Sequence, residues 1–294
     1  MLVRPLTIAG AERRSRRPGI GARVGFIGLS PLACDAMDAH GSDLPDDALP
    51  LTGERTVPGL PEENYWFRRH EVAYRFCRGI CAGQRVLEAG CGEGYGAALL
   101  AQTAQTVTAL DYDAATVAHV RRRYPDVEVL HGNLASLPIP DASVDVVVNF
   151  QVIEHLWDQS QFIRECARVL RPGGLLLIST PNRVTFTPDS DTPLNPFHTR
   201  ELNAAELDEL LTDDGFDVQS MSGVYHGPAL IELDRRHGGS IIAAQITRAL
   251  ADASWPAQLL ADVAAIGSAD FEIIAASQRP IDTSLDLLAI ATRR

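Results

Sequence analysis

Apolar positions along the chain switch repeatedly between two periods, and the switches mark out strands alternating with helices. Short apolar runs at 85–88, 106–110, 127–130, 144–150 and 175–179 predict strands, the last after a Pro-Gly-Gly turn. Between them, 95–102, 114–123 and 159–170 repeat apolar residues at the helical interval. Further strands are expected at 216–221 and 285–290. A helix at 204–211 is announced by Asn203 as its cap and Glu206 three residues on, a capping box. Alternation of this kind gives an α/β fold: a doubly wound, mostly parallel seven-stranded sheet covered by helices on both faces.

Two segments lie outside that rhythm. Tyr65, Trp66, Phe67, Val72, Ala73, Phe76 and Ile80 follow helical spacing after Pro61, so a helix over 62–82 precedes the sheet and is expected to act as a lid. The stretch 227–280 is too long for a simple connection and reads as a helical insertion, with helices at 241–250 and 257–265, on the substrate side.

Composition narrows the class. Residues 1–50 pass abruptly from an Arg-rich run (Arg13, Arg14, Arg16, Arg17, Arg23) to an acidic, Pro-containing stretch, which reads as a disordered leader ahead of one domain over 51–294. Met37 lies within it, so a true start downstream of Met1 is an equal reading. The net charge of −12 opposes phosphate backbones and anionic lipid, so neither nucleic acid nor a membrane is expected as partner. Every basic residue apart from histidine is Arg, which excludes Schiff-base chemistry and the lysine of a P-loop. Five cysteines, odd in number and without a C-x-x-C pair, argue against a disulfide framework or a zinc ribbon and for a reducing, cytoplasmic setting.

The chemistry concentrates where Val86-Leu87-Glu88-Ala89-Gly90-Cys91-Gly92-Glu93-Gly94-Tyr95-Gly96 sets a strand, a glycine turn and a helix start in sequence. Glycines let the backbone approach a ligand closely. Their spacing departs from the dinucleotide fingerprint, which would want its third glycine where Tyr95 stands. E-x-G-C-G-x-G after a strand resembles motif I of the class I S-adenosylmethionine (SAM) dependent methyltransferases, and the resemblance extends over 85–181. It implies a Rossmann-like methyltransferase fold with SAM as cofactor. Gly90 and Gly92 would line its amino-acid end, and Glu88 would order the loop or meet the amino group. Asp111, at the end of the second strand, would accept both ribose hydroxyls, its alternative being to cap the helix that begins near Asp113. Asn133 stands where many relatives carry an acidic residue for the adenine amino group; its amide oxygen can accept the same bond. Cys91, Tyr112, Leu134, Asn149 and Gln151 complete the cofactor set that the resemblance implies.

Methyl transfer to an alcohol needs a group that takes its proton. After the fourth strand, Asn149-Phe150-Gln151-Val152-Ile153-Glu154-His155 lacks the Asn/Asp-Pro-Pro-aromatic signature of nucleobase amino-methyltransferases. His155 is the first base candidate, with Glu154 as the neighbour that would orient it; His198, in the loop after the fifth strand, is the second. Capping and packing are their ordinary rivals. Some quinone O-methyltransferases carry a metal-binding E-x-x-E-H cluster here, but Gln151 replaces its first Glu, so no divalent metal is assigned.

Four segments resemble a narrower group, the methyltransferases assigned to synthesis of methylglucose lipopolysaccharide: Leu51 to Thr56, Glu63 to His70, Asn195 to Glu201, and His237 to Ser240. That resemblance implies O-methylation of an oligosaccharide acceptor at a glucose hydroxyl, the 6-hydroxyl being favoured. Tyr65 and Trp66 would then form a lid over SAM or a platform for the sugar; His226 and His237, in the insertion, are candidates for binding sugar hydroxyls or an anionic group, with exposed loop residues as the equal alternative. The competing readings are a methyltransferase of a quinone or other aromatic metabolite, and a non-catalytic SAM-binding protein.

Overall fold

The computed structural model describes Leu49 and residues 55–190, 192–251 and 254–294; the rest of the expected leader and the Leu51 to Glu54 part of the resemblance lie outside the described residues. Among the described residues eight strands form one sheet: β1 Arg85–Ala89, β2 Thr106–Asp111, β3 Glu128–His131, β4 Val144–Phe150, β5 Leu170–Pro181, β6 Phe216–His226, β7 Phe271–Ala275 and β8 Asp286–Arg293. Their spatial order is β3-β2-β1-β4-β5-β8-β6-β7, parallel through the first five and antiparallel where β8 joins β5 and where β6 joins β8 and β7. The eighth strand is β7, inside the stretch read as helical. Its Phe-Glu-Ile-Ile-Ala run has no second apolar face of its own and gains strand hydrogen bonds only because β6 extends to His226, beyond its predicted end.

Helices cover both faces, as the two-sided burial of β1 and β4 requires. Here α1 is Asn64–Cys77, α2 Tyr95–Ala101 and α3 Ala114–Arg123; they bury Ala73, Tyr74, Cys77, Ala97, Leu100, Val117 and Val120 against one face. On the other face α4 (Gln159–Val169) and α6 (Ala204–Asp213) bury Phe162, Ile163, Cys166, Leu207 and Leu211, while α5 is the single turn Arg183–Phe186. The predicted capping box is present: the Glu206 amide donates to the Asn203 side chain at 2.9 Å, and the Asn203 amide to the Glu206 carboxylate at 2.8 Å.

The inserted helices α7 (Pro228–Arg236), α8 (Ile241–Leu250) and α9 (Ala257–Ala264) make a cap with a core of its own, in which Leu230, Ile241, Leu259, Val263 and Phe271 pack on Tyr65 of α1. Among the described residues no helix is long and apolar enough to cross a membrane. The chain's direction across the sheet reverses between β1 and β4, and a cleft opens outside their carboxyl ends, as open α/β sheets generally provide.

Candidate active site

The cleft encloses about 310 Å³ and is floored by the turn after β1. That turn is stitched to β2: the amides of Gly90 and Cys91 donate to the carbonyl of Leu110 at 2.8 and 3.0 Å. Gly90 has φ +88°, and a β-carbon there would lie 2.8 Å from both γ-carbons of Val152, so the loop after β4 packs on the turn only because this residue is glycine. Gly96 is required for a different reason. A β-carbon at Gly96 would fall 2.3 Å from the Tyr74 ring and 2.4 Å from a Glu88 carboxyl oxygen.

Gly90, Cys91, Gly92, Asp111, Tyr112, Leu134 and Gln151 all line the cleft. The two oxygens of Asp111 accept from the amides of Gly92 (2.9 Å) and Asp113 (3.0 Å), which leaves lone pairs on each for a ligand. Burial raises its pKa, and those two amides oppose the rise. The cap of α3 is Asp113, whose carboxylate accepts from the amides of Ala115 and Thr116. Gln151 adopts φ +57°, with its amide on the carbonyl of Ser179 and its side chain on the Ser179 hydroxyl, and this conformation turns it into the cleft.

Three residues of the expected cofactor set stand outside the cleft lining. Asn149 is fully buried and donates to the carbonyl of Ala89 at 2.7 Å, so it braces the start of the glycine turn from behind. Asn133 turns its side-chain oxygen to the amide of Ala135 at 2.9 Å, a local Asx turn. Glu88 is 1% exposed and pushed up to about 8, first by burial and then by the Asp111 charge, while Tyr74 and the Ala97 backbone pull it down. It is a neutral acid under the loop, packed behind Gly96.

The residues expected to catalyse sort differently. A 3₁₀ turn at Ile153–His155 carries both Glu154 and His155, and Gln159 clamps it by donating to the carbonyls of Ile153 (3.0 Å) and Arg200 (2.9 Å). His155 lines the cleft, and its Nδ1 lies 3.0 Å from the carbonyl of Phe197. A carbonyl only accepts, so Nδ1 carries the proton in the neutral ring and Nε2 is left basic. The group that orients His155 is therefore Phe197, which sequence reading missed, and not Glu154. Glu154 is 1% exposed and takes a bond from Thr180 at 2.9 Å; burial raises its pKa against the pull of His155 and His198.

His198 stands edge-on to His155, with ring centroids 4.9 Å apart, yet both its nitrogens are engaged. Nδ1 donates to Glu201 at 2.7 Å and Nε2 accepts from Asn195 at 3.0 Å, so both of its nitrogens already have protein partners. Glu154, His155 and His198 offer ligand atoms within 4.8 Å of one another, a spacing that a divalent ion would fit only if His198 gave up one of those bonds.

Tyr65, Trp66, His226 and His237 are absent from the cleft lining. Tyr65 is fully buried, its hydroxyl 2.7 Å from Nε2 of His226, whose Nδ1 lies 2.8 Å from Asp234. Trp66 packs edge-on against Tyr65 at 5.0 Å, and His237 pairs with Asp262 at 2.8 Å. These groups hold the cap together. In their place the cleft receives Arg55, Thr56, Glu93, Thr116 and His70. Arg55 donates to Thr116 at 2.8 Å, closing the chain before α1 over the β2 side.

The family described as a methyltransferase domain matches residues 87–178. A "Probable S-adenosylmethionine-dependent methyltransferase" of Mycolicibacterium smegmatis is 70% identical over 246 residues, covering 84% of this chain and 96% of that protein. A protein of the same description from Mycobacterium tuberculosis is 66% identical, covering 83% of this chain and 90% of the other. Among solved structures, a Thermotoga maritima SAM-dependent methyltransferase, titled a possible histamine N-methyltransferase, shares the fold at a TM-score of 0.54 and 17% identity, over 78% of this chain and 93% of that one.

Proposed function

Because the chain belongs to the SAM-dependent methyltransferases, we propose that it methylates a hydroxyl of a carbohydrate, a glucose unit of methylglucose lipopolysaccharide, with the 6-hydroxyl as acceptor oxygen. SAM supplies an electrophilic methyl on a sulfonium, so the acceptor oxygen bonds to the methyl carbon as the sulfur–carbon bond breaks. Asp111 would hold the ribose, while Gly90 and Gly92 give the amino-acid end a surface without side chains. The alcohol proton needs a destination. Among the described residues Nε2 of His155 has no protein partner, and the Phe197 carbonyl keeps it in its basic tautomer. That single arrangement carries the reading, because an O–H acceptor is the class that requires it.

Phe150, Leu156 and Phe197 give the same cleft apolar walls, which favours the ring of an aromatic metabolite as the second reading. Incubation with methyl-labelled SAM and either short α-1,4-glucans or a panel of phenols separates the two. Label is expected on glucose O6, and His155→Ala should lower kcat by roughly 10²–10⁴-fold with affinity for S-adenosylhomocysteine intact. Label on phenols alone would replace the carbohydrate reading.

A further inference from the structure

Seven histidines are described, and six of them have a partner: His119 pairs with Glu93, His131 with a carbonyl, His155 with Phe197, His198 with Glu201, His226 with Asp234 and His237 with Asp262. His70 is the exception. It lines the cleft, and neither of its ring nitrogens meets a hydrogen-bonding group of the described protein.

Its place is set by a rigid anchor. The neighbouring Arg69 is 4% exposed and grips Asp286 at the start of β8 with two hydrogen bonds, of 2.7 and 2.6 Å, and a third reaches the carbonyl of Leu285 at 2.9 Å. Since β8 adjoins β5 and β5 adjoins β4, this anchor puts His70 on the β4 and β5 side of the cleft with His155, away from the β2 end where Asp111 stands. Burial pushes His70 down to about 4, with the Arg69 and His155 charges acting the same way and Asp286 opposing them. The ring is thus neutral and offers one donor and one acceptor.

We propose that His70 is the acceptor-positioning residue of this site: it hydrogen-bonds a second oxygen of the acceptor while Nε2 of His155 takes the proton of the first. The chemistry selected is then an acceptor with two oxygens on adjacent carbons, a polyol or sugar, over a monohydroxylic ring. This deepens the carbohydrate reading above and rests on it. In a hexose the 6-hydroxyl and the ring oxygen stand in that relation. An aromatic alcohol would satisfy His155 and leave His70 buried against apolar surface without a partner, a penalty paid by the wrong acceptor.

The test uses the full chain with maltoheptaose as acceptor probe and S-adenosylhomocysteine as cofactor probe. His70→Phe should raise the KM for maltoheptaose at least tenfold and leave the cofactor Kd and the Tm where they were. His70→Asn, which returns a donor and an acceptor, should recover most of the lost KM. An unchanged KM in both variants, with wild-type turnover intact, overturns this inference and spares the carbohydrate reading. A tenfold loss of cofactor affinity in His70→Phe would move the residue to the cofactor and overturns it equally. If the wild type transfers nothing to the glucan, both readings fall together.

Discussion

The cleft wall and the cap are furnished with the same side-chain types and use them in opposite ways. In the cap, Tyr65, His226 and Asp234 form a closed chain, His237 and Arg236 share Asp262, and Asn64 spends its amide on the carbonyls of Val263, Ala264 and Ile266. These bonds join cap residues to one another, and their worth is the attachment of α7 to α9 onto α1. In the cleft the polar groups are satisfied on one side only. Asp111 holds the glycine turn yet keeps lone pairs, His155 is pinned at one nitrogen, and His70 at neither. A polar residue is available for chemistry when its neighbours leave part of its bonding capacity unmet, whatever its type.

The contrast is broken most sharply at Asp111. Hydrogen bonds to a charged acceptor contribute about 1.5–3 kcal/mol each, so Asp111→Ala should weaken S-adenosylhomocysteine binding by roughly 10- to 100-fold or more in calorimetry. Unaltered affinity would take the carboxylate out of the site. A smaller effect of another kind is expected in the cap. Tyr65→Phe strands Nε2 of His226 at a cost of about 1–3 kcal/mol, or about 2–4 °C of Tm for each kcal/mol, while the acceptor KM stays constant. A raised KM at unchanged Tm would instead make the cap an acceptor site.

The effect under the loop is confined to a pH window. Glu88 has its proton affinity raised by folding, to about 8 from an ordinary 4.5, so the folded state holds a proton that the unfolded chain releases between those values. Its contribution is full below about pH 4.5 and is lost as pH climbs through 8. Glu88→Gln should therefore gain in Tm over wild type at pH 8 relative to pH 4.5 by thermal melts, the amide's own buried N–H groups adding a cost that is the same at both pH values. A gain of the same size at both pH values would show that the carboxyl charge is irrelevant there.

Local features were legible in the chain. Strand and helix periods, the Asn203 and Glu206 capping box and the glycine turn each depend on residues a few positions apart, and they appear in the structure, with β5 starting five residues before and β6 ending five residues beyond their expected bounds. The partners of His198 were also within reach of a close reading, since Asn195 and Glu201 lie three residues to either side. Asn149 and Gln151 were both placed in the cofactor set by the family resemblance; Gln151, at positive φ, lines the cleft, while Asn149 is buried in the core. Arg55 stood out only as a member of the Leu51 to Thr56 resemblance, and its place in the cleft depends on Thr116 of α3, 61 positions on.

What the sequence decided by itself is the donor half of this protein: a bend that only glycine permits and a carboxylate one strand away, both fixed by short-range sterics and strand order. Which imidazoles line the cleft was settled only by tertiary structure. His70 reaches the cleft because Arg69 finds Asp286 across 217 positions of chain, and Tyr65 leaves it because His226 closes on its hydroxyl across 161. Bonds of that span are formed by packing of the whole sheet, and no local pattern of residues encodes which group they will consume.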